Sequence, residues 1–397
     1  MKNPSDRVLN IAPSLTVEID TLAKRLISEG KDIVSLGAGE PDKDTPEDVR
    51  EAGKAAIDEG KTRYTSPQGI LEVRRAVAQK LKAQNGLSYA PEEIVMTSGA
   101  KHAVFNALLA VVNPGDEVII PEPYWVTYPE LVKLLGGTPV IVHTDAEKNF
   151  TMTGKDLRAA ITPKTKAVIL NNPTNPTGTL YGEAALEEIA REIVENDLYA
   201  ISDEVYEHFS YGEKFRSLAA FPGMRERTLL VNGLSKSHCM TGWRIGYVAA
   251  PESLARLIAK AQGQTTHHPS NVAEYAAKKA LEMPLDLVHK MRDEFQKRRD
   301  FLFGRISKVP GVRARLPNGA FYLFVCVDGL FGKVSANGMR ISTSVEFCRY
   351  LLEEAGLAIV PGSAFGREGY VRFSYAASME TLRKAADRFE KAVLALR

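Results

Sequence analysis

The chain has 397 residues, and 51 Lys plus Arg against 49 Asp plus Glu leave a formal net charge of +2, which offers no electrostatic reason for a nucleic acid or an anionic membrane as partner. Hydrophobic residues at 44% and charged residues at 25% are the usage of a packed globular protein, not of a disordered chain. The length predicts two or three domains at roughly 150 residues each. The longest apolar run, residues 320–327, is too short to span a bilayer, and residues 1–15 hold no apolar signal core. Cys239, Cys326 and Cys348 have no paired spacing, so neither a disulfide framework nor a zinc site is implied. A cytoplasmic protein with reduced thiols is expected.

From about residue 90 to 250, short β-branched runs ending in Asn, Asp, Ser or Gly alternate with segments of helical period. Strands are predicted at residues 93–97, 117–120, 166–170, 199–202, 228–231 and 244–249, with helices at 103–112, 126–134 and 182–195. This alternation predicts an α/β domain around a largely parallel sheet, in which ligands bind beyond the carboxyl ends of the strands. Residues 285–303 differ: Met291, Phe295, Leu302 and Phe303 recur at helical spacing in a helix long enough to connect two lobes. Within it, Lys297-Arg298-Arg299 lies among Asp293, Glu294 and Asp300 and reads as a solvated helix face, not a basic patch. Strands at 320–327, 357–360 and 370–374, mixed with helices, predict a smaller α+β domain.

The most informative stretch is Asn232-Gly-Leu-Ser-Lys-Ser-His-Cys-Met-Thr-Gly-Trp-Arg244, which follows a predicted strand. Lys236, eight residues before Arg244 and among small residues, can face one small anionic ligand. The pattern resembles the lysine signature S-K-x-x-x-x-T-G-W-R of the class I pyridoxal-phosphate-dependent aminotransferases, of the aspartate aminotransferase type. The resemblance implies that Lys236 carries the Schiff base, with Ser235 and Arg244 on the cofactor phosphate. Read alone, the pair would be a surface lysine and a salt-bridging arginine. Trp243, inside the signature, reads as core.

Further motifs extend the resemblance over residues 14–389. A pyridoxal enzyme needs a carboxylate beside the pyridine nitrogen, and Ile201-Ser-Asp-Glu-Val-Tyr206 matches the family motif that supplies it from Asp203. Tyr206 would reach the ring hydroxyl together with Asn175, which stands in the family pattern N-P-x-N-P-T-G at residues 172–178. In Thr97-Ser-Gly-Ala-Lys101, a predicted strand passes into a helix whose N-terminal N–H groups suit a phosphate, so Ser98, Gly99 and Ala100 form the cradle, with Lys101 beside it. Trp125 offers a flat face for stacking on the ring. Tyr64 matches the tyrosine that reaches the phosphate of the neighbouring subunit, which implies a homodimer.

Two motifs concern the substrate. Arg372, in an apolar alternation where an unpartnered guanidinium is costly, has the planar fork that grips a carboxylate, and the resemblance assigns it to the α-carboxylate. Gly39, in the loop L-x-x-G-E-P-D, closes on the same group. Some aspartate aminotransferases read the distal carboxylate with an arginine upstream of a turn like His267-His268-Pro269; residues 261–266 hold none. Another branch uses a lysine and small hydroxyls, matched by Ser14, Thr16 and Lys101. The implied activity is transfer of an amino group between an L-amino acid, aspartate favoured, and 2-oxoglutarate by a ping-pong route. Aromatic amino acids, prephenate or alanine are alternative substrates, and a carbon–sulfur β-lyase is a rival on the same fold; an effector-binding transcription regulator would need a DNA-binding segment that the match leaves no room for. His267 and His268 either line the side-chain pocket or are turn residues. The implied fold is the pyridoxal-phosphate-dependent transferase fold type I. It has a large domain with a mostly parallel mixed sheet flanked by helices (residues 46–284) and a smaller α+β domain from residues 1–45 and 285–397.

Overall fold

A computed structural model describes residues 3–397. Seven strands form the main sheet: β1 (Ile94–Thr97), β2 (Glu117–Glu122), β3 (Thr138–His143), β4 (Thr165–Asn171), β5 (Tyr199–Asp203), β6 (Thr228–Gly233) and β7 (Gly246–Ala249). Their spatial order is β1-β7-β6-β5-β4-β2-β3, and only β7 runs against its neighbours. Strands of this kind are apolar on both faces because helices cover both. In β6, for example, Leu229 and Val231 face one helical layer and Leu230 the other. The carboxyl ends of β1, β2, β4, β5 and β6 therefore open on one side of the sheet, where polar residues follow each strand.

The second sheet is antiparallel and has Tyr322–Cys326 and Tyr370–Ser374 as its two longest strands. Val34–Ser35, near the amino terminus, pairs in parallel with Leu357–Ala358 near the other end of the chain. The 357–360 segment is thus two short strands in two sheets, because Val360–Pro361 joins Tyr370–Ser374 instead. The long helix, Asp286–Ile306, spans about 32 Å at 1.5 Å per residue. Its Met291, Phe295, Leu302 and Ile306 line one buried stripe.

Several expectations change. Arg298 and Arg299 are buried, not solvated: Arg298 donates to Asp42 Oδ1 at 2.8 Å and pairs with Glu294, and Arg299 donates to the Pro317 carbonyl at 2.8 Å. Charge alternation along a helix cannot reveal that loops from distant sequence will cover it. Arg244 lies outside β7, at a left-handed φ of 54°. Trp243 is half-buried, donates to Thr45 Oγ1 at 3.0 Å and packs so closely on Gly53 that a Cβ there would come within 2.7 Å of its ring. Helices Glu47–Asp58 and Leu71–Lys80 and strand β3 add to the expected elements. Among the described residues, no helix is long and apolar enough to cross a membrane.

Phe295 is fully buried, with ring centroids of Phe209 and Phe321 at 5.3 and 5.4 Å. Phe295→Ala should cost about 3–5 kcal/mol of unfolding free energy in urea denaturation; a loss below about 1 kcal/mol would mean that this stripe does not hold the helix in place.

Candidate active site

Beyond the strand ends lies a cavity of about 460 Å³. Lys236, Ser235 and Arg244 reach it from the segment after β6, Asp203 from the end of β5 and Tyr206 from the turn after it, Asn175 from the loop after β4, and Ala100 and Lys101 from the helix after β1. Arg372, Gly39, Ser14 and Thr16 close it from the other side. Parts of the chain more than 300 residues apart thus converge because the sheet delivers its loops to one edge while the N-terminal segment and the second sheet cover that edge.

Lys236 Nζ donates to the Gly39 carbonyl at 2.6 Å. Burial lowers its pKa to about 8; Glu40 opposes the shift, while the Arg244 and Arg372 guanidinium groups add to it. An amine at that value is partly unprotonated near neutrality and can act as nucleophile or base. Asp203 is buried, accepts from Tyr128 Oη at 2.6 Å and has its pKa raised to about 6, because burial outweighs the Tyr128 and Val205 hydrogen bonds and the Lys236 charge. Its backbone carbonyl takes hydrogen bonds from Asn171 Nδ2 and Asn172 N, both at 3.0 Å, which staple the Asn-Pro loop to the end of β5.

One end of the cavity is built for an anion. Helix Ala100–Val111 starts there, and its first-turn N–H groups lack intrahelical acceptors. Its cap, Gly99, has φ of 85°, a conformation that side chains rarely adopt, and a Cβ would lie 2.7 Å from Arg244 Nη2, so any other residue here would be strained and would displace the guanidinium from this helix end. Ser235 is buried nearby and lines the same cavity. The Ser98 N–H is already engaged, donating to His102 Nδ1 at 3.3 Å.

A second cationic pole is Arg372, which is 3% exposed. It donates to Asn175 Oδ1 at 2.8 Å and to the Gly37 carbonyl at 2.7 Å, while its buried Nε has no partner. Tyr322 packs under it, with the guanidinium carbon 4.5 Å from the ring centroid, and shares a hydrogen bond of 2.8 Å with the Tyr206 hydroxyl. A Cβ on Gly39 would sit 2.8 Å from the Tyr322 hydroxyl, which accounts for glycine there.

At the mouth, Ser14 and Thr16 hydroxyls lie 3.0 Å apart, and Asp20 and Lys24 pair at 2.8 Å. Lys101 Nζ stands 5.0 Å from the Trp125 ring centroid; desolvation, then Arg244, lowers its pKa although the residue is exposed overall. Tyr64 is apart from this group: it is 90% exposed and meets His267 and His268 edge-on. Neither histidine lines the cavity of its own chain. His268 Nε2 accepts from Thr65 N at 3.3 Å and its Nδ1 lies 2.6 Å from the Pro269 carbonyl, a turn role.

Tyr128, Tyr322, Glu40, Asp20 and Lys24 also line the cavity, although none stands out by itself in the sequence. Tyr128 stands three residues after Trp125, and Glu40 sits inside the Gly37–Asp42 loop, so sequence neighbourhood marks these two. Tyr322 lies in an unbroken apolar run and gave no signal. Among the described residues, no cluster of three or more His, Cys, Asp or Glu could hold a metal ion.

The model of the family "Aminotransferase class I and II" matches residues 31–389. The chain is 44% identical over 389 residues to an aspartate/prephenate aminotransferase of Cereibacter sphaeroides, covering 97% of each. It superposes on the crystal structure of the aspartate aminotransferase from Rhizobium meliloti with a TM-score of 0.96 at 42% identity, covering all of both chains. The aspartate aminotransferase from Thermus thermophilus with maleate gives 0.92 at 42% identity, covering 99% of this chain and 100% of that one. The chain therefore belongs to the class I and II aminotransferases, has their fold type I architecture and is a transaminase.

Proposed function

We propose that this transaminase uses pyridoxal 5′-phosphate to move an amino group between aspartate and 2-oxoglutarate, with prephenate as a further acceptor. The observation that carries this reading is the convergence, in one cavity, of a lysine with lowered pKa, a buried carboxylate and two separate cationic poles. The residues fit the cofactor. The helix end at Gly99–Ala100, which a Cβ would obstruct, suits its phosphate, together with Ser98, Ser235 and Arg244. Asp203 suits the ring nitrogen, Asn175 and Tyr206 the ring hydroxyl, Trp125 the ring face and Lys236 the aldehyde. When bound, the cofactor supplies the carbon that takes up the amino group and a ring that accepts the electron pair of the Cα–H bond.

The chain's own residues supply the rest. Asp203 stays mostly ionised at neutral pH, with a pKa of about 6, and so favours a protonated ring nitrogen. Arg372 holds the substrate α-carboxylate, its unpartnered buried Nε being the donor in want of an acceptor. With the carboxylate fixed, Lys236 Nζ takes the proton from Cα as general base. Lys101, Ser14 and Thr16 read the distal carboxylate. The names of relatives as aspartate/prephenate aminotransferases support this substrate choice. A lobe of residues 46–284 and a second of residues 1–45 with 285–397 enclose the substrate between them and exclude water. In a homodimer, the exposed Tyr64 reaches the phosphate of the partner's site. The free cysteines accord with a cytoplasmic location.

Lys236→Ala should abolish transamination and the yellow colour of the loaded protein; an active, yellow variant would overturn the assignment. Loading of the cofactor-free protein requires the unprotonated Lys236 amine, so its rate should rise with pH up to about 8 and level off above. Glu40→Gln removes an anion that raises that pKa, so the midpoint should move to lower pH in stopped-flow absorbance measurements. Across aspartate, glutamate, alanine, phenylalanine and prephenate, kcat/KM should favour aspartate over alanine and phenylalanine by more than about tenfold. Arg372→Lys should lower kcat/KM for every amino donor by roughly ten- to a hundredfold, whereas Lys101→Ala should penalise the diacids alone.

A further inference from the structure

Behind the cavity, on the far side of the Lys236 segment, lies a buried ionic cluster that the chemistry above does not use. Lys80 and Glu207 form an ion pair whose side chains are each 5% exposed. Lys80 Nζ also donates to Asn85 Oδ1 at 2.9 Å, and Asn85 Nδ2 donates to Glu207 Oε2 at 2.6 Å. Asn85 reaches this place through a π-helical turn, Leu81–Asn85, that follows helix Leu71–Lys80 and is closed by Gly86 at φ of 68°. Such turns are uncommon and often mark functional regions. Burial pushes the Glu207 carboxyl up, but Lys80, His208 and Asn85 outweigh it and hold it well below the usual carboxylate range. The carboxylate is therefore a fixed negative charge in the interior.

A buried ion pair is weak evidence for stability, since apolar residues of the same volume often serve as well. Its connections indicate another role. Glu207 directly follows Tyr206 and stands four residues after Asp203. Its Oε1 accepts from Asn232 Nδ2 at 2.7 Å, and Asn232 Oδ1 accepts from Gly233 N at 2.7 Å, at the carboxyl end of β6 and three residues before Lys236. The backbone ladder between β5 and β6 ends at Asp203 and Val231, with one further bond from Glu204 N to the Val231 carbonyl at 2.9 Å. Past that point, the Glu207–Asn232 bond takes over the link between the segment bearing Asp203 and Tyr206 and the segment bearing Lys236.

We infer that Glu207, charged and oriented by Lys80 and Asn85, is a positioning residue that sets the place of Lys236 relative to Asp203 through its hydrogen bond to Asn232. The inference rests on the proposed roles of Lys236 and Asp203. A base misplaced by a fraction of an ångström loses rate without losing substrate affinity.

In the pyridoxal-phosphate-loaded enzyme, Glu207→Gln and Asn232→Ala should each lower kcat by about tenfold or more while KM for aspartate stays within about threefold. Each should also move the midpoint of the pH titration of the visible absorbance, which reports the surroundings of Lys236. Asn232→Ala keeps the Lys80–Glu207 pair and serves if Glu207→Gln, which leaves an ammonium unpaired in the interior, does not fold. Wild-type kcat and an unmoved midpoint in Asn232→Ala, whatever its melting temperature, would overturn the inference. Borohydride reduction and peptide mass analysis of the wild-type enzyme test the site reading separately: cofactor fixed on any residue but Lys236 would defeat that reading, and this inference with it.

Discussion

The segment Gly37–Asp42 holds the site together by offering acceptors to three cationic side chains from different parts of the chain. The Gly37 carbonyl takes Arg372, the Gly39 carbonyl takes Lys236, and the Asp42 carboxylate takes Arg298 of the long helix. Thr241 adds a fourth tie, donating to Glu40 Oε2 at 2.8 Å. Desolvating an ammonium or a guanidinium is tolerable only where acceptors meet it. One short loop meets this need for two of the cations of the cavity, Lys236 and Arg372, and for the helix behind it. The loop has little freedom in return: a Cβ on residue 39 would come within 2.8 Å of the Tyr322 hydroxyl.

Charge in the interior follows one logic throughout. Burial brings the Lys236 amine down to about 8, against the pull of Glu40 and with added repulsion from Arg244 and Arg372. Asp203 accepts from Tyr128 and the Val205 N–H and feels the Lys236 charge, so that burial does not neutralise it fully. The Lys80–Glu207 pair behind the lysine segment is mutually neutralised, and its value lies in geometry more than in net attraction. The near-balance of the whole chain conceals these local concentrations.

Much of the site was legible because its residues sit in short contiguous motifs at strand ends. The lysine signature, the Asp203–Tyr206 segment, the Asn-Pro loop and Arg372 all reach the expected cavity. Their partners were not legible. Tyr128 and Tyr322 act through hydroxyls whose direction depends on how a helix and a second sheet are seated against the main one, and an aromatic residue in an apolar context carries no mark of that. The burial of Arg298 and Arg299 escaped for the same reason: helical charge alternation looks alike whether water or another loop faces it.

The sequence by itself determined the alternation of strands and helices, the polar residues after each strand and the family to which they belong, because these depend on local period and on residues close together in the chain. Only the tertiary structure decided which carbonyls receive Lys236 and Arg372, that Tyr64 is exposed outside the cavity of its own chain, and that Glu207, paired with Lys80, bonds Asn232 and so links the Asp203 segment to the Lys236 segment. Those facts depend on contacts between residues dozens to hundreds of positions apart, whose distances are set when the two sheets and the long helix pack and not by any local preference of the chain.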